Sequence, residues 1–235
     1  MNIVLNPEKN ISLSAYFVEP KQVSKCIIFL PGGGKTIGNE RFKNWQDKLI
    51  DEEVVSVSLD FSGVGLSSGD LTKQTLEKRI KEAECVTRWI VDKYPNIPIT
   101  VLGVSMGGYV ALGLVEKLEN VFNKVILQVP AAYSRKAHNL NFDDNFTKEL
   151  RTLNSWNDSY SFYWWKNFKG KKLLIANERD EVIPYDIIER YRRIGEDGSN
   201  FSLATILGAS HNVFGDKRLS DETYEIIKNF LVEEL

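Results

Sequence analysis

Ile99-Thr100-Val101-Leu102-Gly103-Val104-Ser105-Met106-Gly107-Gly108 is the stretch whose reading decides the fold. Its first half is a short apolar, β-branched run of the kind that forms a buried strand, and it leads directly into G-x-S-x-G. Beyond it, Val110, Ala111, Leu114, Val115 and Leu118 recur at helical spacing. The pentapeptide alone is a weak signal, because glycine and serine are both common. Its setting gives it meaning. A serine on a sharp strand-to-helix turn has a strained backbone and an exposed hydroxyl, and side chains two residues before and after it would strike neighbouring elements. Glycine at 103 and 107 removes those Cβ atoms. The following helix aims its free N–H groups and positive dipole end at the same point. Ser105 therefore reads as a nucleophile, against the alternative of a structural turn serine.

Outward from this stretch the same alternation repeats. Apolar runs lie at Cys26–Leu30, Val54–Leu59, Val125–Val129, Leu173–Ala176 and Phe201–Leu207. Short continuous runs of this kind read as strands covered on both faces. Between them Leu76, Ile80, Ala83, Thr87 and Ile90 repeat helically, and Ser220-Asp221-Glu222 is expected to cap a last helix carrying Tyr224, Ile227 and Leu231 on one face. Ile11–Val18 is expected as an antiparallel edge strand. Alternating strands and helices predict right-handed βαβ units in a mostly parallel, doubly wound sheet with helices on both faces, forming a single domain over 1–235. Ligands of such sheets bind at the carboxyl ends of the strands.

Composition narrows the function. A chain of 235 residues can bury roughly 70% of the surface it exposes when unfolded, enough for a core without metal or disulfide support. The formal net charge is −2 and the basic residues are scattered, which leaves no footprint for nucleic acid or an anionic membrane. No leader pattern opens the chain and no apolar run approaches the ~20 residues that span a bilayer. Cys26 and Cys85 read as two reduced thiols, and a cytoplasmic location is expected. Two cysteines and two histidines far apart make no metal site, so no metal and no cofactor is expected.

A serine hydroxyl needs a base, and there are only two histidines to choose from. His138 reads as a surface residue. His211 lies in the small-residue loop Leu207-Gly208-Ala209-Ser210-His211-Asn212 after the last predicted strand, on the same edge as Ser105. The base needs an acid to fix its tautomer. Asn177-Glu178-Arg179-Asp180-Glu181 follows another strand, and Asp180 is the chosen acid, with Glu178 and Glu181 as competitors. The oxyanion hole needs two backbone N–H donors: Met106, next to the nucleophile, and Gly33 in Pro31-Gly32-Gly33-Gly34. A phosphate cradle is the rival reading of those glycines. It fails for want of a Gly-Lys-Ser/Thr at the required spacing, despite Lys35-Thr36.

One stretch, 133–170, breaks the alternation and is rich in aromatics. It is expected to be a small cap, with Tyr133, Trp164 and Trp165 as substrate-binding residues favouring an apolar or aromatic group. The alternatives are a plain crossover helix whose aromatics are core, or a dimer contact; the oligomeric state is left open.

Leu30-Pro31-Gly32-Gly33-Gly34, Asp60-Phe61-Ser62-Gly63-Val64-Gly65-Leu66-Ser67-Ser68-Gly69, Gly103–Gly107, Asn177–Pro184 and Gly208–His211 follow one another in an order that resembles the small bacterial α/β-hydrolases of the esterase, lipase and serine-aminopeptidase group. The resemblance spans about residues 26 to 211 and implies an α/β-hydrolase fold and a Ser-Asp-His triad. Asp60–Gly69 is similar to that family's Asp-x-x-Gly-x-Gly-x-Ser loop, whose role is structural. Two departures stand out: Pro31 where many relatives have histidine, and Ser62 where arginine is usual. The function expected is carboxylic ester hydrolysis on a small-molecule acyl substrate through an acyl-enzyme. Thioesterase, peptidase or acyltransferase activity on the same triad is the alternative, and a catalytically silent ligand-binding module is a remote one.

Overall fold

In the computed structural model, which describes residues 1–34, 39–198 and 200–233, the apolar runs become strands of one sheet. They are β1 (Asn2–Glu8), β2 (Ile11–Val18), β3 (Lys25–Leu30), β4 (Val54–Leu59), β5 (Ile99–Val104), β6 (Phe122–Gln128), β7 (Lys171–Asn177) and β8 (Phe201–Ile206). The spatial order is β1-β2-β4-β3-β5-β6-β7-β8. β2 pairs antiparallel with β1 and with β4, and from β4 to β8 every pairing is parallel. Ile11–Val18 is thus flanked on both sides, and the edge strand is β1, which alternates exposed and half-buried residues as an edge with one wet face should. β4 and β5 are buried along their whole length because helices cover both faces there.

The helices are α1 (Lys43–Lys48), α2 (Leu76–Lys93), α3 (Met106–Lys117), α4 (Asp144–Leu150), α5 (Tyr160–Asn167), α6 (Tyr185–Glu196) and α7 (Lys217–Val232). On one face α2 packs on α3, α3 on α5 and α5 on α6. On the other, α1 meets α7: Trp45 Nε1 donates to Ser220 Oγ at 3.0 Å and Lys48 pairs with Asp221 at 2.6 Å. The last helix begins earlier than expected. Asp216 caps it, its carboxylate accepting from the Leu219 amide, which leaves Ser220 inside the helix as a hydroxyl partner for Trp45. Its far end is pinned by buried Lys124 of β6, whose Nζ donates to the carbonyls of Phe230 (2.7 Å), Leu231 (3.2 Å) and Glu233 (2.7 Å) and so caps the helix from across the sheet.

The aromatic stretch 133–170 divides into two parts. α5 is the crossover helix from β6 to β7. Its Phe162 and Trp165 are buried, and Trp165 donates from Nε1 to the Tyr191 carbonyl at 2.9 Å and meets Phe201 edge-on. The residues before it, with α4, form an excursion at the carboxyl edge of the sheet. Phe142 N there donates to the Gln74 carbonyl at 2.9 Å, and Lys136 pairs with Glu149 at 2.8 Å. No helix among the described residues is long and apolar enough to cross a membrane.

Candidate active site

Ser105 sits between β5 and α3 with φ 54° and ψ −117°, a left-handed conformation that costs a side-chain-bearing residue energy. The turn is held from both sides. Ser105 N donates to the Gln128 carbonyl at 2.9 Å, and the Ser105 carbonyl accepts from Gly108 (2.9 Å) and Ala131 (3.0 Å). The glycines beside it are there for contact. A Cβ on Gly103 would lie 2.2 Å from the Gly107 carbonyl oxygen, and one on Gly107 would lie 2.1 Å from Leu30 O and 2.7 Å from Pro31 O. Backbone cannot give way as a side-chain tip can. Gly107→Ala is therefore expected to destabilise the protein by about 2–4 kcal/mol. At this length that lowers Tm by roughly 5–15 °C in a thermal melt. A Tm within a degree of wild type would contradict the packing argument.

Asp180 and His211 come from the ends of β7 and β8. His211 Nδ1 and Asp180 Oδ2 are 2.8 Å apart, with Asp180 nearly closed off from solvent and the imidazole 20% exposed. Asp180 Oδ1 accepts from the Val182 (2.8 Å) and Ile183 (2.9 Å) amides. Burial works to raise this carboxyl, but the bonds from His211 and the two amides outweigh it and hold it below the usual aspartate range. The competing acids have other tasks: Glu178 accepts from the Gly208 amide at 2.7 Å and Glu181 from the His211 amide at 3.4 Å. Asn177 Nδ2 adds a bond to the Ser210 carbonyl at 2.6 Å. The acid loop thus braces the histidine loop along its backbone.

The polypeptide then leaves β8 and returns across the carboxyl edge of the sheet. Phe214, three residues past His211, packs on Phe42 and Trp45, which in turn sit on Phe29 of β3. The segment that follows His211 thus reaches the β3 side of the sheet, and β5, which leads into Ser105, lies between β3 and β6 in the strand order. Among the described residues Ser105 Oγ makes no hydrogen bond to His211; catalytic bonds of this kind are often long in free enzymes and tighten around substrate.

Gly32 approaches Ser105 so closely that an added Cβ would be 3.2 Å from Ser105 Cβ and 3.7 Å from Oγ. Gly33 lies beside Met106, with 3.5 Å between such a Cβ and Met106 Cε. The Met106 amide opens α3, where helical geometry leaves its N–H without an intrahelical acceptor. Lys35 and Thr36 lie outside the described residues.

Other residues expected at the site are placed differently. Trp165, on α5, is fully buried in the core against Tyr191 of α6 and Phe201 of β8. Trp164 lies along the flank of α3, stacked on Tyr160, against Tyr109 and Gly113, and lines a groove with Val115 and Phe122 toward the far end of that helix from Ser105. Tyr133 is buried edge-on against Tyr109 and beside Phe146. His138, read as a surface residue, is half-buried: its Nδ1 is 3.1 Å from Tyr109 Oη and its ring packs on Tyr160 and Trp164. Its helical-period neighbours give no hint of this. Three residues that sequence reading missed lie near the glycine loop: Arg79, Phe61 and Phe142, with Arg79 positioned over both rings. Phe142 belongs to the aromatic stretch expected as a cap, and Arg79 stands out as a charge on the α2 face that carries Leu76, Ile80 and Ala83.

The Asp60–Gly69 loop is a backbone clamp. Asp60 accepts from the Leu66 amide at 3.2 Å, while Ser67 and Ser68 hydroxyls accept from the Ser14 and Ser12 amides of β2. Gly65, at φ 55°, lets the turn close on the Asp60 carboxylate. Among the described residues no cluster of His, Cys, Asp and Glu converges as a bound metal ion requires.

Several solved structures share this architecture. Est1E from Butyrivibrio proteoclasticus, in a structure with ferulic acid bound, aligns over 98% of both chains with a TM-score of 0.77 at 20% identity. Est2 from Thermogutta terrifontis aligns over 99% of this chain and 91% of its own (0.76, 19% identity), and the esterase EaEST from Exiguobacterium antarcticum over 99% and 100% (0.75, 15% identity). No curated protein matches the sequence. Residues 21–163, more than half of the chain, match the family described as serine aminopeptidase, S33. The chain belongs to that family, and its fold is that of the α/β-hydrolases.

Proposed function

We propose that this protein is a serine esterase that cleaves carboxylic esters of small molecules through an acyl-enzyme. Ser105 Oγ attacks the ester carbonyl while His211 takes its proton; the tetrahedral oxyanion is held by the Met106 and Gly33 amides. Collapse breaks the ester C–O bond, and the imidazolium returns the proton to the departing alcohol. Water, activated by the same imidazole, then cleaves the acyl-serine and releases the acid. Asp180 orients the imidazole throughout and stabilises its charged form. What supports this reading is the braced Asp180–His211 pair in the loops after β7 and β8, together with a serine held at positive φ between β5 and α3.

The excursion at 134–158 is proposed as the cap over the acyl group. Phe142, partly buried and tilted against Phe146 with ring centroids 4.6 Å apart, supplies an apolar wall next to the glycine loop, which supports an apolar or aromatic acyl group. Phe142→Ala is expected to lower kcat/KM about 5- to 50-fold for octanoyl over acetyl p-nitrophenyl esters. An unchanged preference for acyl length would count against that placement. Cys26 and Cys85 are both free, which supports action in a reducing compartment such as the cytoplasm.

The family's description favours a second reading, cleavage of aminoacyl amides by the same three side chains. Labelling with a fluorophosphonate probe, followed by parallel assays on p-nitrophenyl esters and aminoacyl p-nitroanilides, separates the two. Labelling of Ser105 with ester turnover is the expected result. Hydrolysis confined to the anilides would select the peptidase reading, and no labelling would remove both.

A further inference from the structure

Arg79 is almost completely buried, projecting from α2 toward the glycine loop. One of its terminal nitrogens, Nη1, donates to the Gly32 carbonyl at 3.2 Å and to Met106 Sδ at 3.2 Å. The guanidinium lies over the Phe61 ring at 4.7 Å and the Phe142 ring at 5.0 Å. No carboxylate of a described residue pairs with it. Glu82, one turn further along α2, is turned instead to the Ser62 amide at 2.9 Å, the Ser62 hydroxyl and Gln74 Nε2 at 2.7 Å. Its carboxyl is raised, by burial first, with the Ser62 bonds opposing. Arg79 Nε has no partner either. Burial lowers the guanidinium to about 10, which leaves it charged at neutral pH. Glu82 acts on this cation only through space, with no direct ion pair between them, so the cation's burial beside a candidate catalytic loop is costly and invites a functional account.

The geometry supplies that account. Gly32 C=O and Gly33 N–H belong to one planar peptide and point in opposite directions, so whatever anchors the carbonyl also aims the amide. Three successive glycines cannot hold that plane by themselves, because glycine gives up the most backbone freedom when ordered. A charged donor on the carbonyl also polarises the peptide and strengthens its N–H as a donor. Met106 contributes the other oxyanion amide, and its thioether accepts from the same Arg79 nitrogen.

Building on the esterase reading, we propose that Arg79 is the positioning residue of the oxyanion pocket: by gripping the Gly32 carbonyl and the Met106 thioether from between two aromatic rings, it aims the Gly33 amide and places positive charge behind the developing oxyanion. The charge is needed in the transition state and not for substrate to bind. Arg79→Met keeps the length and the ring contacts and removes the charge. It should lower kcat on a p-nitrophenyl ester about 10- to 100-fold, with KM within about twofold, and weaken a trifluoromethyl ketone that forms the tetrahedral adduct by a similar factor. Tm and active-serine content by fluorophosphonate titration give the folded fraction. Equal kcat, or a loss confined to KM, would reduce Arg79 to a packing residue. Should the methionine variant not fold, Arg79→Lys must retain more kcat per labelled serine than the neutral Arg79→Gln; equality or the reverse order overturns the proposal. Wild-type protein that neither labels nor turns over esters would sink the esterase reading and this inference together, whereas active wild type with equally active variants sinks only the inference.

Discussion

Ser105→Ala is expected to lower kcat on p-nitrophenyl esters by roughly 10⁵- to 10⁶-fold and to abolish labelling by a fluorophosphonate. The size of the loss follows from what the hydroxyl does. In the proposed mechanism no acyl-enzyme can form without Oγ, and a water in its place lacks the position that the turn gives Ser105. The backbone at this residue is held by Gln128, Gly108 and Ala131, and alanine carries the same Cβ through the same strained φ. The fold should therefore survive, with Tm close to that of wild type. Residual turnover would come from the amide pocket alone. A variant retaining a few per cent of wild-type kcat would show that another group performs the attack.

The second large effect is expected at the acid. Asp180→Asn should reduce kcat about 10³- to 10⁴-fold while leaving the protein folded. Asp180 Oδ1 accepts two amides, from Val182 and Ile183, so the asparagine oxygen will occupy that position and its NH₂ will face His211 Nδ1. A donor facing Nδ1 obliges that nitrogen to be the acceptor. The ring proton then sits on Nε2, where it cannot accept the serine proton. Steady-state kinetics and circular dichroism on the same preparation make the test, and a loss below tenfold would argue that Asp180 is not the orienting acid. The folded carboxyl lies below its unfolded value, so the stability it adds is present above the unfolded pKa and fades as pH falls through the folded one. At neutral pH Asp180 is therefore ionised and ready to orient the ring.

Sequence reading failed where long-range packing decided a residue's surroundings. Trp164 and Trp165 are neighbours in the sequence, yet one flanks α3 and the other is sealed in the core, because adjacent residues on a helix point about 100° apart. Ser220 resembled a cap until Asp216 took that role and Trp45, distant in the sequence, claimed its hydroxyl. Ile11–Val18 has the pattern of an edge strand. It is displaced inward because β1 adds outside it, and the Asn2–Glu8 stretch, with a proline and alternating exposure, carries only a faint strand signal.

What the sequence determined by itself is whatever neighbouring residues impose on one another. The continuous apolar runs demand a sheet covered on both faces, and Gly103 and Gly107 around Ser105 mark a turn too tight for Cβ atoms. Scarcity added to this: with two histidines to choose from, the one in a small-residue loop after the last strand was the favoured candidate base. The sequence named Asp180 with Glu178 and Glu181 as competitors in one acidic loop, and the tertiary structure gave each its partner: Asp180 the imidazole, Glu178 the Gly208 amide and Glu181 the His211 amide. It alone also placed Arg79 against the Gly32 carbonyl, from a helix that the sequence separates from that loop by dozens of residues. Local sterics are written in adjacent residues, whereas a contact across the sheet depends on register and packing that no single segment contains.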